Sequence, residues 1–161
     1  MTVYQRCSRI MSVAALVAGL LFAPFALADD HDDVLAFIKQ YGDLEDDLAA
    51  QAELMTDDRI FINGPVRQTD NAKNMSNQMA GRAASERVNG GPTKFVTTIE
   101  GPIVRMYGDV AVASFVRWFN TYPHNQPANP PGGMQWVTLV LVKDGRDWKI
   151  AHTHQSPINL N

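Results

Sequence analysis

Residues 143–156, "KDGRDWKIAHTHQS", decide how the rest of the chain is read. Asp144-Gly145 is a tight-turn dipeptide, and Trp148 to Ser156 suit an extended strand. A regular strand turns alternate residues to opposite faces. Trp148, Ile150, His152 and His154 should therefore share one face, with Lys149, Ala151 and Thr153 on the other. Trp148 and Ile150 are bulky and apolar, which makes theirs the expected inner face. His152 and His154 would then form the polar end of an apolar cavity. Two histidines hydrogen-bonded to backbone near a strand end would give the same sequence.

The pair also has the spacing of a metal-binding arm, but a metal needs at least a third ligand. His31 sits near the start of the folded chain, His124 falls in a loop, and no carboxylate has matching placement. Neither a metal nor a cofactor is expected.

Working outward, Met134 to Lys143 and Trp148 to Ser156 form a hairpin about Asp144-Gly145. A second hairpin joins Ile103–Tyr107 to Val110–Thr121 at Gly108-Asp109. Phe95–Ile99 is β-branched and strand-like, and Glu100-Gly101-Pro102 marks a turn or bulge. Tyr122–Gly133, rich in Pro, Asn and Gly, reads as an exposed loop; its composition does not say whether it covers a pocket. Nearer the N-terminus, Val34, Leu35, Phe37, Ile38 and Tyr41 recur at helical spacing until Gly42-Asp43. Asp43 is placed to cap a second helix through Leu44, Leu48, Ala52 and Met55, ending at a Thr56-Asp57-Asp58 turn. A short strand, Arg59–Ile62, runs to Asn63-Gly64-Pro65. A third helix over Asn71–Glu86 carries Met75, Met79 and Ala83 as its core side. Helices followed by an antiparallel meander make an α+β domain with one sheet curling over helices.

Arg6 and Arg9, the apolar run Ile10–Leu27 and the small-x-small Ala26-Leu27-Ala28 read as an export signal cleaved after residue 28. Residues 29–161 then form a single domain, periplasmic or secreted, with no membrane contact after cleavage. Cys7, the only cysteine, goes with the leader, so the mature chain has no thiol chemistry. Loss of Arg6 and Arg9 leaves 12 basic against 17 acidic residues, a net charge of −5. Nothing in that balance favours nucleic acid.

Four stretches in this order carry a resemblance: "GDLEDDLAAQAELMTDD" (42–58), "TTIEGP" (97–102), "GDVAVASFVRWFNTY" (108–122) and the closing "KDGRDWKIAHTHQS". The chain resembles the nuclear transport factor 2-like (SnoaL-like) superfamily. Within it, the likeness is to the branch with the association domain of calcium/calmodulin-dependent protein kinase II. The resemblance implies a cystatin-like conical barrel, a strongly curved antiparallel sheet wrapped around N-terminal helices with a pocket between them. It also implies a homodimer through the sheet, or a larger ring as in the kinase branch. It places a pocket arginine at Arg117. The family's second pocket arginine falls near Thr138, which implies a less basic pocket here.

Members of this superfamily have many activities, so function must come from the pocket residues. Arg117 lies inside a strand between Val116 and Trp118; the expectation is that it faces inward, where its planar fork suits a carboxylate. If it faces outward, Trp118 takes the inside. Tyr41, Phe61, Phe115, Trp136 and Thr138 complete the expected wall with His152 and His154. Glu100, Asp109, Asp57 and Asp58 read as turn or cap residues, so no carboxylate base is evident. The expected function is binding of a small, mostly apolar ligand, with or without a carboxylate. The alternatives are a histidine-dependent isomerase or hydro-lyase, with His152 or His154 as acid/base and Arg117 stabilising charge, and an assembly module with no ligand.

Overall fold

A computed structural model describes residues 23–126 and 132–159, with side chains from residue 30. Most of the expected leader, and residues 127–131 of the expected loop, lie outside the described residues. The order is α1 (Ala23–Asp43), a 3-10 turn (Leu44–Asp46), α2 (Leu48–Ala52), β1 (Met55–Asn63), β2 (Val66–Gln68) and α3 (Asn71–Asn89). Four long strands follow: β3 (Lys94–Tyr107), β4 (Val110–Tyr122), β5 (Gly132–Asp144) and β6 (Asp147–Pro157). No helix among the described residues is long and apolar enough to cross a membrane.

Val34, Phe37, Ile38 and Tyr41 bury one stripe of α1, as their spacing requires. The helix ends at Asp43, as the expected Gly42-Asp43 break requires. A Cβ on Gly42 would stand 2.8 Å from Ile99 Cδ1, so glycine here allows the helix end to lie against β3. The expected second helix is divided into the 3-10 turn and the short α2. Asp47, not Asp43, caps α2, accepting from the Ala50 amide at 3.0 Å. Met55 and the expected Thr56-Asp57-Asp58 turn belong to β1, whose pairing with β6 is irregular between Met55 and Ile60.

The sheet is curved and open, in the order β2-β1-β6-β5-β4-β3. Both expected hairpins are present, with Gly108 and Gly145 at φ 64° and 66°. β3 passes through the expected Gly101-Pro102 bulge, where its register with β4 shifts between Glu100 and Ile103. Asp46 Oδ1 accepts from the Phe95 amide on β3 at 2.6 Å. One pairing departs from the expected antiparallel sheet: β1 runs parallel to β6. Three antiparallel long strands then bring β4 parallel to both.

A single residue in β6 overturns the expected face of the histidines. Leu141 pairs with Ile150 while Val140 pairs with His152, which leaves Ala151 as an extra residue. Such a bulge exchanges the faces of every residue beyond it. Trp148, Ile150, Thr153 and Gln155 are consequently the buried set. His152 and His154 turn to the outer face, half-buried and exposed respectively. The core lies under the inner face, where Val137, Leu139, Leu141 and Phe115 are almost wholly enclosed with the α1 stripe. Burying side chains of this size contributes about 1.5–3 kcal/mol each.

Candidate functional site

On the inner face, β1 and β4 carry the same three-step pattern. Arg59, Phe61 and Asn63 line one side of a cavity; Arg117, Phe119 and Thr121 line another. In both strands the arginine is buried, at 2% and 6% exposure, and the next two inner residues are half-buried. Since the strands run in the same direction, both series go from a deep cation through a phenyl ring to a polar rim. β3 contributes Phe95, β5 Gln135 and β6 Gln155, while Gln78, Gly81, Arg82 and Ser85 of α3 close the remaining side. The cavity measures about 460 Å³, within the ~300–1,000 Å³ usual for small-molecule sites.

The inward stripe of α3 explains why the helix looked thinly apolar. Asn71, Asn74 and Met75 are buried, followed at helical spacing by Gln78, Arg82 and Ser85, whereas Met79 is 42% exposed. A helix facing a polar cavity needs polar residues where one facing a core needs apolar ones. Gly81 belongs to this stripe, yet a Cβ built there meets no atom within 4 Å beyond its own stretch of helix. Glycine costs a helix interior about 0.5–1 kcal/mol relative to alanine.

Three guanidinium groups and one carboxylate, Glu45, are the charged groups lining the cavity, a formal excess of two positive charges. Glu45, on the 3-10 turn, lies 2.6 Å from Arg82 and 3.5 Å from Arg117. Arg117 faces inward as expected, but protein groups already engage it. Its Nε and Nη2 donate to Gln135 Oε1 at 3.1 and 2.5 Å, Nη2 donates to Gln155 Oε1 at 3.2 Å, and Nη1 approaches Glu45. Arg82 donates to the Glu45 carboxylate and backbone carbonyl, and stacks over Phe95 at 3.8 Å.

Arg59 is different. Its Nη2 donates to Asn74 Oδ1 at 2.7 Å and its Nη1 reaches Thr153 Oγ1 at 3.5 Å, but Nε has no partner. No carboxylate of the described residues forms an ion pair with it. Burial pushes its pKa below the usual arginine range, opposed by neighbouring Tyr41. Burial likewise raises the Tyr41 phenol, despite the positive charge of Arg117 nearby, so Tyr41 is a neutral hydroxyl beside these cations.

Of the expected wall, the structure brings together Arg117, Tyr41 and Phe61. Phe115 is 1% exposed and belongs to the core, one inner step before Arg117. Val137 and Leu139 take the inside of β5, so Trp136 and Thr138 must face outward, with Trp136 54% exposed. Thr138 pairs with His154, and His152 and His154 are outside because of the Ala151 bulge. A histidine acid/base within this cavity is therefore not available. No three His, Cys, Asp or Glu of the described residues gather as a metal-binding group. Further arginines, Arg59 and Arg82, arrive from β1 and α3. The repeated Arg-x-Phe of "RIF" (59–61) and "RWF" (117–119) was the available sequence signal for Arg59. Arg82 and Glu45, on a helix and a turn, had no comparable one.

The arrangement can hold an anion and orient a ring. Its one acid is engaged by two arginines, and no free general base faces the cavity among the described residues.

Solved structures with this fold include an NTF2-like protein of cystatin-like fold from Novosphingobium aromaticivorans. It is 16% identical, with TM-score 0.69 over 86% of this chain and 88% of that one. A Xanthomonas campestris protein assigned as a calcium/calmodulin-dependent protein kinase II association domain is 17% identical, with TM-score 0.64 over 80% and 87%. The beta subunit of benzoate 1,2-dioxygenase from Burkholderia mallei is 14% identical, with TM-score 0.68 over 80% and 90%. At these identities the likeness establishes the fold alone. No curated protein sequence matches the chain significantly. The sequence profile of the SnoaL-like domain matches residues 34–159, from the first buried residue of α1 to just beyond the end of β6. With the fold and this match together, the chain belongs to the SnoaL-like domain family.

Proposed function

We propose that the protein binds a small organic carboxylate in the inner cavity, with Arg59 as its anchor. The carrying observation is that Arg59 is a buried guanidinium with no acidic partner among the described residues, in a cavity holding two excess positive charges. Burying a charge without compensation is costly, and a ligand carboxylate in this cavity supplies the counter-charge. Arg117, engaged by Gln135, Gln155 and Glu45, shapes the wall and adds to the positive potential. Binding rather than turnover is the reading, because no free acid or base faces the ligand among the described residues.

Calorimetric titration with short monocarboxylates tests this. Arg59→Met should weaken binding about 10- to 100-fold, the usual worth of a hydrogen bond to a charged group. Equal affinity in wild type and variant would remove Arg59 from the site. We further propose export, checked by N-terminal sequencing for a mature start at Asp29, and pairing of two copies through the outer sheet face. Trp136 at 54% exposure, paired across the sheet with half-buried Val116, favours that surface. Analytical ultracentrifugation of wild type and Trp136→Arg checks it: the variant should be monomeric.

A further inference from the structure

We infer that the carboxylate bound here is an aromatic one, entering head first, and that Gly81 sets how large its ring system can be. This rests on the carboxylate reading above and adds the body of the ligand to its head. Each strand series puts a phenyl ring one inner position outward of its arginine: Phe61 beyond Arg59, and Phe119 beyond Arg117. Phe95 adds a third ring, stacked on Phe119 with centroids 5.8 Å apart and planes inclined by 25°. Guanidinium groups cover one face of each ring, Arg59 over Phe61 at 5.2 Å, Arg82 over Phe95 at 3.8 Å and Arg117 over Phe119 at 5.1 Å. Cations over these rings hold them in place along the cavity that all three line.

The order of layers fixes the ligand's order. A carboxylate at Arg59 brings the next atoms of the molecule to the phenyl layer, and its far end to Asn63 and Thr121. A flat ring suits that middle layer better than a saturated one, because offset or edge-on contact between rings adds to simple area burial. A polar substituent opposite the carboxylate would reach the rim.

Gly81 gives the size limit. It has ordinary helical backbone, so φ does not require glycine, and a Cβ there would meet no atom within 4 Å beyond its own stretch of helix. Its place on the cavity-facing stripe means that the open space belongs to the cavity mouth. Glycine weakens a helix interior, and here it keeps room beside the aromatic layer for a second ring.

The probes are benzoate, cyclohexanecarboxylate, 2-naphthoate and benzyl alcohol, titrated calorimetrically into wild type, Gly81→Ala and Gly81→Leu. Benzoate should bind about three- to tenfold more tightly than cyclohexanecarboxylate. Gly81→Leu should weaken 2-naphthoate by at least about tenfold and benzoate much less. Gly81→Ala should fall between, and thermal denaturation of both variants should show an intact, slightly stabilised fold. Equal or tighter binding of cyclohexanecarboxylate would overturn the aromatic inference while leaving the carboxylate reading standing. Unchanged 2-naphthoate affinity in Gly81→Leu would overturn the role of Gly81. If benzyl alcohol bound as well as benzoate, or no acid bound wild type at millimolar concentration, the carboxylate reading itself would fail.

Discussion

The two faces of β4, β5 and β6 are made from interleaved residues of the same strands, yet their chemistry differs completely. Inward, each strand goes from enclosed apolar residues such as Phe115, Leu139 and Ile150 to polar ones at the cavity: Arg117, Gln135 and Gln155. Outward, the middle of β4 and β5 is valine, tryptophan, serine and threonine with no charge, and none of these residues is fully buried. The inner face thus joins an apolar core to a polar cavity, while the outer face of β4 and β5 lacks the charged residues that a sheet face turned to water commonly carries. The two proposals draw on that contrast: a charged small molecule held on the inner face and a second copy docked on the outer one.

The most severe way to break this contrast is Phe115→Ala, which empties an enclosed site and should cost about 3–5 kcal/mol in urea denaturation. The opposite sign is expected at Arg59. Arg59→Met removes a buried cation without an acidic partner and should stabilise the ligand-free protein by about 1–2 kcal/mol, raising Tm by a few degrees. Ligand affinity and stability would then move in opposite directions at one position, which a merely structural arginine would not produce.

The smallest effect concerns the outer face. Burial first, and the neighbouring His154 second, lower the pKa of His152. The unfolded chain, with an ordinary value of about 6.5, therefore binds this proton more readily than the folded one. The contribution of His152 is fully present above pH ~6.5 and declines as pH falls through that value toward the lower folded pKa. His152→Asn should flatten this acid slope in Tm measured from pH 7.5 to 5, with little change at neutral pH.

The sequence shows how far alternation can be trusted. The α1 stripe, both hairpins and the Gly101-Pro102 bulge were legible because local chemistry dictates them: apolar spacing, turn dipeptides and a residue that cannot donate. The inward face of Arg117 was legible as well. What misled was period two carried across Ala151, since a bulge needs no glycine or proline and leaves no compositional mark. The site acid and the third arginine were hidden for another reason. Glu45 and Arg82 are 37 residues apart, and only the packing of α3 against the 3-10 turn makes them neighbours. Arg59 was within reach, through the repeated Arg-x-Phe, but an arginine opening a short strand carries no mark of being buried.

One feature of β3 bears on a hazard that the folded chain must avoid. As the last strand of an open sheet, it offers fourteen residues of unpaired edge, a template on which a strand of another molecule could add. Asp46 occupies the Phe95 amide near one end, and Pro102 removes a donor at the bulge, where the strand also bends. The stretches left between them are short for a recruited strand to zip along. A loop carboxylate and a proline thus act as a guard against polymerisation, and Asp46→Ala with Pro102→Thr should shorten the lag before thioflavin-positive aggregates form.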